Sequence, residues 1–324
     1  MTGRSPGQPL AEPAALSIAE RLLGRRPDHL AACHPAAGGD DSHAFRLRVG
    51  RDALLLQVKR RPGSPVGVYF HGCVRAAGIP VPELVAFDAG AGPNGETCAV
   101  WEWVEGVPAE WAPGEPCPYD EAELGALLRR IHDLRFDGPF GCLGDDPSQR
   151  TYTWSPDLEP VSESWAGYFR CDQAARRYFD RGYLNRAEAE SLISLPERLR
   201  AEMDRTEPRL LHMGDVMHNG NLVVDPRSGR IRAVLDYAES TAGDPRWELA
   251  WFQYYFADYP FERATFDLAR FQAGYGSAPD PRDALGRFYL AAVLLFEKLV
   301  FYEPASARGR WAIATVKEVL RGLG

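Results

Sequence analysis

Residues 210–226 read Leu210-Leu-His-Met-Gly-Asp215-Val-Met-His-Asn-Gly-Asn221-Leu-Val-Val-Asp-Pro226, and the chain soon continues Ile231-Arg-Ala-Val-Leu-Asp236-Tyr-Ala-Glu239. A loop rich in His, Asp and Asn leads into the apolar run from Leu222. Asp225-Pro226-Arg227-Ser228-Gly229 is turn chemistry, so the two apolar runs read as a hairpin. Asn221 begins one strand and Asp236 ends the next, and antiparallel pairing brings such positions together. An amide oxygen beside a carboxylate is a hard-ligand pair suited to Mg²⁺. Asp215, in the preceding loop, is placed to accept a proton from an attacking hydroxyl. A base Asp, then a metal Asn, then a metal Asp is the layout used for phosphoryl transfer.

Working outward, Gly243-Asp244-Pro245 opens an aromatic-rich, mostly helical C-terminal region, with Asp244 as helix N-cap and Pro at the first helical position. Upstream, Asp120 and Glu123 precede Leu124, Leu127, Leu128 and Ile131 on one helical face. Helical patterns also cover Val161–Arg181 and Arg186–Arg205. Before residue 104 the character is different. His43–Val49 and Ala53–Lys59 alternate as a hairpin, Val66–Ala77 is helical, and Glu83–Phe87 and Thr97–Val104 read as strands. The expected fold class is α+β: a small antiparallel sheet with one helix, then a larger, mainly helical lobe. The expected organisation is a flexible tail over 1–13, a first lobe over 14–104 and a second over 105–324.

Composition narrows the function classes. The 324 residues are 45% hydrophobic and 25% charged, as in ordinary globular chains. A net charge of -8 argues against nucleic acid or an anionic membrane as the partner. The longest apolar run, about Phe288–Phe296, is far short of a membrane span, and the polar N-terminus carries no apolar signal region. A cytoplasmic protein, monomer or homodimer, is the expectation. The six cysteines, at 33, 73, 98, 117, 142 and 171, form no CxxC pair and read as free buried thiols.

With these residues in view, the chain resembles the aminoglycoside phosphotransferase family, whose fold is protein-kinase-like. The catalytic loop around Asp215, the Asp236-Tyr237-Ala238 motif, Gly243-Asp244-Pro245, the helix ending Leu128-Arg-Arg-Ile-His132 and Pro80-Val-Pro82-Glu83 carry the resemblance. Asp41-Ser-His-Ala-Phe45, Gly138-Pro-Phe-Gly141 and Asp236–Glu239 are similar to the hygromycin B phosphotransferase branch. The resemblance implies ATP (or GTP) as donor, Mg²⁺ as cofactor, and a small cationic aminoglycoside-type alcohol as acceptor. It implies Asp215 as base and Asn221 and Asp236 as metal ligands. Ser42, with Gly38 and Gly39, would cover the nucleotide phosphates, Lys59 would hold them, and Glu102 to Val104 would form the adenine hinge. Glu239, Asp258 and Glu262 would meet the substrate's ammonium groups, although Asp258 and Glu262 also read as a solvated face. The same resemblance allows a kinase of another small alcohol or of a peptide antibiotic, or a degenerate, non-catalytic ligand-binding homologue.

The departures from the family pattern are specific. Met213 and Gly214 put two residues, not one, between His212 and Asp215, so Asn219 and Asn221 both lie within reach of the metal position; Asn221 directly precedes the strand and is preferred. The family's third-strand Lys or Arg aligns with Gln57. Lys59, two residues on, shares that strand face and either substitutes or is a solvated strand-end charge. The partner acid expected on the following helix falls near Gly67, and Val66–Ala77 holds no acidic residue.

Overall fold

The computed structural model describes residues 10–33, 41–111, 114–214, 216, 220–254, 265–276, 280 and 282–323. Residues 1–9 of the expected tail lie outside the described residues, and the first helix already begins at Glu12. The chain forms two units, and they interleave in sequence. One comprises Met1–Ala109, Gly144–Asp146 and Asn219–Ala238; the other comprises Glu110–Leu143, Pro147–His218 and Glu239–Gly324.

The first unit is built on a sheet of five strands: β1 (His29–Ala32), β2 (Ser42–Val49), β3 (Asp52–Pro62), β4 (Leu84–Asp88) and β5 (Glu96–Glu102). Their order is β1-β2-β3-β5-β4, all neighbours antiparallel. Alternation along the strands splits the side chains between two faces. Phe45, Leu47, Val49, Leu54, Leu56, Val58, Cys98 and Val100 form one buried face, packed with Ala15, Ile18 and Ala19 of helix α1 (Glu12–Leu23). On the other face, Ala99 and Trp101 pack with Val66, Leu55 and Val68 beside helix α2 (Val68–Ala76). Gln57 pairs with Ala99, and Ser42 pairs with Lys59, so this second face also carries the polar residues of interest. A separate three-stranded sheet joins Val107–Pro108, Leu222–Val224 and Ile231–Val234, which is how the distant hairpin enters this unit.

The second unit is mainly helical. Its helices include α3 (Glu121–His132), α4 (Trp165–Tyr168), α5 (Cys171–Asp180), α6 (Arg186–Met203), α7 (Pro245–Gln253), α8 (Leu268–Tyr275), α9 (Ala284–Val293) and, after a π-helical turn over Leu294–Lys298, α10 (Leu299–Phe301) and α11 (Ala307–Leu323). The helical pattern expected over Val161–Arg181 is interrupted. Phe169 adopts an extended backbone at the end of α4, and Arg170, which caps α5, makes a side-chain pair with Glu159. Tertiary aromatic packing drives that break: Trp165 stacks on Tyr168 at 4.9 Å and meets Phe169 edge-on at 5.0 Å. Asp244 caps α7 as expected, accepting from the Arg246 N–H at 2.9 Å. It also accepts from the Tyr289 hydroxyl at 2.8 Å, which itself accepts from the Trp165 indole N–H at 2.7 Å.

Candidate active site

In the first unit, the hairpin brings Asn221 and Asp236 to neighbouring positions. Leu222 pairs with Val234, and the Leu235 N–H donates to the Asn221 carbonyl at 2.8 Å. Asp236 follows directly, is exposed, and holds φ at +60°. A non-glycine residue in the left-handed region is uncommon and costs conformational energy, so the surrounding structure must over-determine it. The anchor is the next residue. Tyr237 is buried, its hydroxyl donates to the Val234 carbonyl, and its ring lies 5.3 Å from His71 and 6.2 Å from Trp101. Gly67 makes the remaining approach. Its φ is +79°, and a Cβ there would lie 2.1 Å from the Tyr237 carbonyl oxygen, so only glycine fits.

The α2 face of the sheet holds a connected polar set. The Trp101 indole N–H donates to Gln57 Oε1 at 3.0 Å, and Gln57 Nε2 donates to Ser42 Oγ at 3.3 Å. Trp101 is thus a buried core residue, whereas Trp103 is half-buried with the Arg46 guanidinium 4.4 Å above its ring. Lys59 is not a solvated strand end: its side chain is 4% exposed and its Nζ lies 3.5 Å from Asp41 Oδ2. At the sheet's far end, the Glu102 N–H donates to the Glu83 carbonyl at 2.8 Å, and the Trp103 N–H to the Ala53 carbonyl at 3.1 Å. Both bonds secure the segment that leads to Val104.

Asp145 was not anticipated from the sequence. Its Oδ1 accepts from the N–H groups of Gly67 at 2.7 Å, Val68 at 3.0 Å and Val66 at 3.1 Å, closing the N-terminus of α2 from a loop 77 residues downstream or more. Burial pushes the Asp145 carboxyl above its ordinary range, opposed by those N–H groups and by the positive charge of Lys59.

In the second unit, Asp215, Met217, His218 and Asn219 lie outside the described residues, as do Asp258, Glu262, Gly38 and Gly39. The loop that leads to Asp215 is described as far as Gly214, and a buried carboxylate organises it. Glu248 of α7 accepts from the His212 N–H at 2.8 Å and the Gly214 N–H at 2.7 Å. Its Oε2 also lies 2.9 Å from Nε2 of His132, whose Nδ1 is 2.8 Å from the Tyr275 hydroxyl. Burial alone would raise the Glu248 carboxyl; the His132 bond and charge, the His212 charge and the Gly214 N–H outweigh it and hold the group below the usual glutamate range. Met213 takes φ +69° and Gly214 φ +78°, so the loop passes through two consecutive left-handed residues beside the pinned amides. Glu248 also escaped sequence reasoning. The only signal was its place one turn into the helix that Gly243-Asp244-Pro245 opens.

Glu239 lies at the start of this unit's last segment, half-buried, with its carbonyl accepting from Thr241 Oγ1 at 3.1 Å. Its charge acts on Glu297 of the π-helical turn, whose carboxyl is pushed well above its ordinary range, chiefly by burial. No group of three or more His, Cys, Asp or Glu side chains suited to a metal ion occurs among the described residues. No helix among them is long and apolar enough to cross a membrane.

Residues 32–285 match the phosphotransferase enzyme family. Among solved structures, the chain is similar to a provisionally named fructosamine-3-kinase from Haemophilus somnus 129PT, with a TM-score of 0.64 at 12% identity over 95% of this chain and 97% of that one. A like-named protein from Thermobifida fusca YX-ER1 gives 0.63 at 19% identity over 94% and 98%. A thermostable mutant of aminoglycoside phosphotransferase APH(4)-Ia, in ternary complex with AMP-PNP and hygromycin B, gives 0.58 at 17% identity over 95% and 98%. No curated protein matches the chain. These likenesses show the α+β, protein-kinase-like fold, and the match over most of the chain shows the rest: this protein belongs to the phosphotransferase enzyme family, as a small-molecule kinase.

Proposed function

We propose that the protein transfers the γ-phosphoryl group of ATP, or GTP, to a hydroxyl of a small, cationic aminoglycoside-type molecule such as hygromycin B. The observation that carries this reading is the hairpin geometry: the 2.8 Å bond between Leu235 and Asn221 sets an amide and the strained carboxylate residue Asp236 side by side. Strained backbone conformations cluster at functional sites, which supports a functional role for Asp236. Asn221 and Asp236 offer hard oxygen donors of the kind that Mg²⁺ takes together with phosphate oxygens and water, so the residues fit the ion. Bound there, Mg²⁺ would supply charge neutralisation at the phosphates. Lys59 and Ser42 bind the nucleotide's phosphates, and the backbone of Glu102 and Val104 binds its base. Asp215 orients the acceptor hydroxyl and takes its proton, while Glu239, Asp258 and Glu262 pair with ammonium groups of the acceptor. Positioning and charge complementarity supply most of the acceleration.

A buried ammonium is expensive unless it has anionic partners, so the burial of Lys59 supports its role in holding phosphate oxygens. The test is nucleotide consumption with Mg²⁺ across a panel of aminoglycosides, a ketosamine and a peptide antibiotic, read as a mass gain of one phosphoryl group on the acceptor. Phosphorylated hygromycin B supports the full reading, and phosphorylation of the ketosamine alone moves the acceptor to that class. Absence of nucleotide binding by the wild-type protein overturns phosphoryl transfer and leaves the non-catalytic binding reading. Asp215→Asn is expected to cut turnover by about 10²–10⁴ with the melting temperature preserved.

A further inference from the structure

The hydrogen bonds that link Trp101, Gln57 and Ser42 have a direction, and it is fixed from one end. An indole N–H can only donate, so the 3.0 Å bond from Trp101 makes Oε1 the accepting end of the Gln57 amide. The other end, Nε2, therefore faces Ser42 Oγ, 3.3 Å away, and an amide nitrogen can only donate. Ser42 Oγ is thus held as an acceptor, and its own hydrogen is left for another partner. Ser42 and Trp101 are each only 4% exposed. No other hydrogen bond of the Ser42 side chain occurs among the described residues, and a buried donor left unpaired is costly. Lys59 stands directly across the strand pair from Ser42, on the same face and also buried. A hydroxyl obliged to donate, beside an ammonium, is a pair suited to an anion.

We infer that Trp101 and Gln57 are positioning residues that hold the Ser42 hydroxyl as an obligate donor to a phosphate oxygen of the nucleotide. The inference deepens the phosphoryl-transfer reading and rests on it. It also gives Gln57 a purpose: where the family pattern has a third-strand cation, this chain has a neutral amide that sets the direction of a neighbouring hydrogen bond. Trp101 acts only through that amide. Without the indole N–H, the Gln57 amide is free to turn over. Ser42 then donates to Oε1, and its hydrogen is spent inside the protein rather than on the ligand.

The experiment uses the full chain. Affinities for ADP or GDP with Mg²⁺, and for the matching nucleoside, are measured for wild type, Trp101→Phe, Ser42→Ala and the double variant. Ser42→Ala is expected to weaken the diphosphate about tenfold, the scale of one hydrogen bond to a charged group. Trp101→Phe, which keeps the ring and loses only the N–H, is expected to weaken it nearly as much. Both should bind the nucleoside as wild type does, since it carries no phosphate, whereas a merely structural disturbance would weaken both ligands. The double variant is expected to bind no worse than Ser42→Ala alone. Wild-type diphosphate affinity in either single variant, equal losses for diphosphate and nucleoside, or losses that simply add in the double variant overturn the inference while phosphoryl transfer stands. A wild-type chain that binds neither ATP nor GTP removes the phosphoryl-transfer reading, and this inference with it. Should Trp101→Phe not fold, Gln57→Glu decides. Its carboxylate accepts from Trp101 and Ser42 alike, so it draws the Ser42 hydrogen inward. A larger loss of diphosphate affinity with Ser42 present than in the Ser42→Ala background supports the role; equal losses reflect charge repulsion alone and oppose it.

Discussion

Glu248 makes three contacts to buried polar groups with its two oxygens. Glu248→Ala is therefore expected to cost about 3–5 kcal/mol, the scale for removing one partner of a buried charged network, measured by urea denaturation. Its titration has a definite sign. The folded pKa lies below that of a free glutamate, so the group adds stability above the unfolded value near ~4.3. That contribution is lost as pH falls through the depressed folded value. The stability gap between wild type and Glu248→Gln should close on acidification; a gap that widens would contradict the network. Gly67 gives a second test at this scale. Gly63 and Gly67 both hold left-handed φ, +76° and +79°, but a Cβ at Gly63 meets nothing within 4 Å. Gly63→Ala should lose only the backbone term, about 1–2 kcal/mol. Gly67→Ala should lose more, and should lower kcat as well, because the displaced Tyr237 carries Asp236 with it.

Helices in this chain are set by their termini as much as by their faces. Asn185 and Glu188 form a reciprocal capping box on α6, far in sequence from the candidate site. Asn185→Ala should lower stability by about 1 kcal/mol and leave kcat and nucleotide KM unchanged; a calorimetric scan beside a turnover assay checks both halves. The elements that alternation and capping define locally were readable without the structure: the β2–β3 hairpin, α2, the hairpin around Asp225, and the Asp244 cap. Lys59 was placed on the right face by its two-residue offset from Gln57, but its burial was not visible, because adjacent Arg60 and Arg61 gave the segment a solvated look. The Val161–Arg181 pattern misled for a physical reason. Its apolar residues answer to an aromatic cluster drawn from several helices, and that packing overrides local periodicity. Asp145 and Glu248 were illegible for a related reason: each caps or pins a segment dozens of residues away, and nothing in the local sequence marks an acid for such service.

At the scale of the whole molecule, the units are not contiguous stretches of chain. The sequence shows a change of character near residue 104, yet the first unit runs to Ala109 and recruits Gly144–Asp146 and Asn219–Ala238. The recruited pieces are structural. Leu222–Val224 pairs with Val107–Pro108, the Val234 N–H donates to the Pro80 carbonyl at 2.9 Å, and Asp145 caps α2. A fragment of residues 1–111 is therefore expected to lack a cooperative unfolding transition in calorimetry, since α2 would lose its cap and the aromatic set around His71 and Trp101 would lose Tyr237. The same interleaving bears on how the protein is made. A ribosome delivers Tyr237 long after it has delivered Gly67, so the first-translated half waits, incomplete and with apolar surface showing, until most of the chain has emerged. The sheet and its core within residues 10–102 are available early, but the α2 face is completed only when Asp145 and Tyr237 have been made.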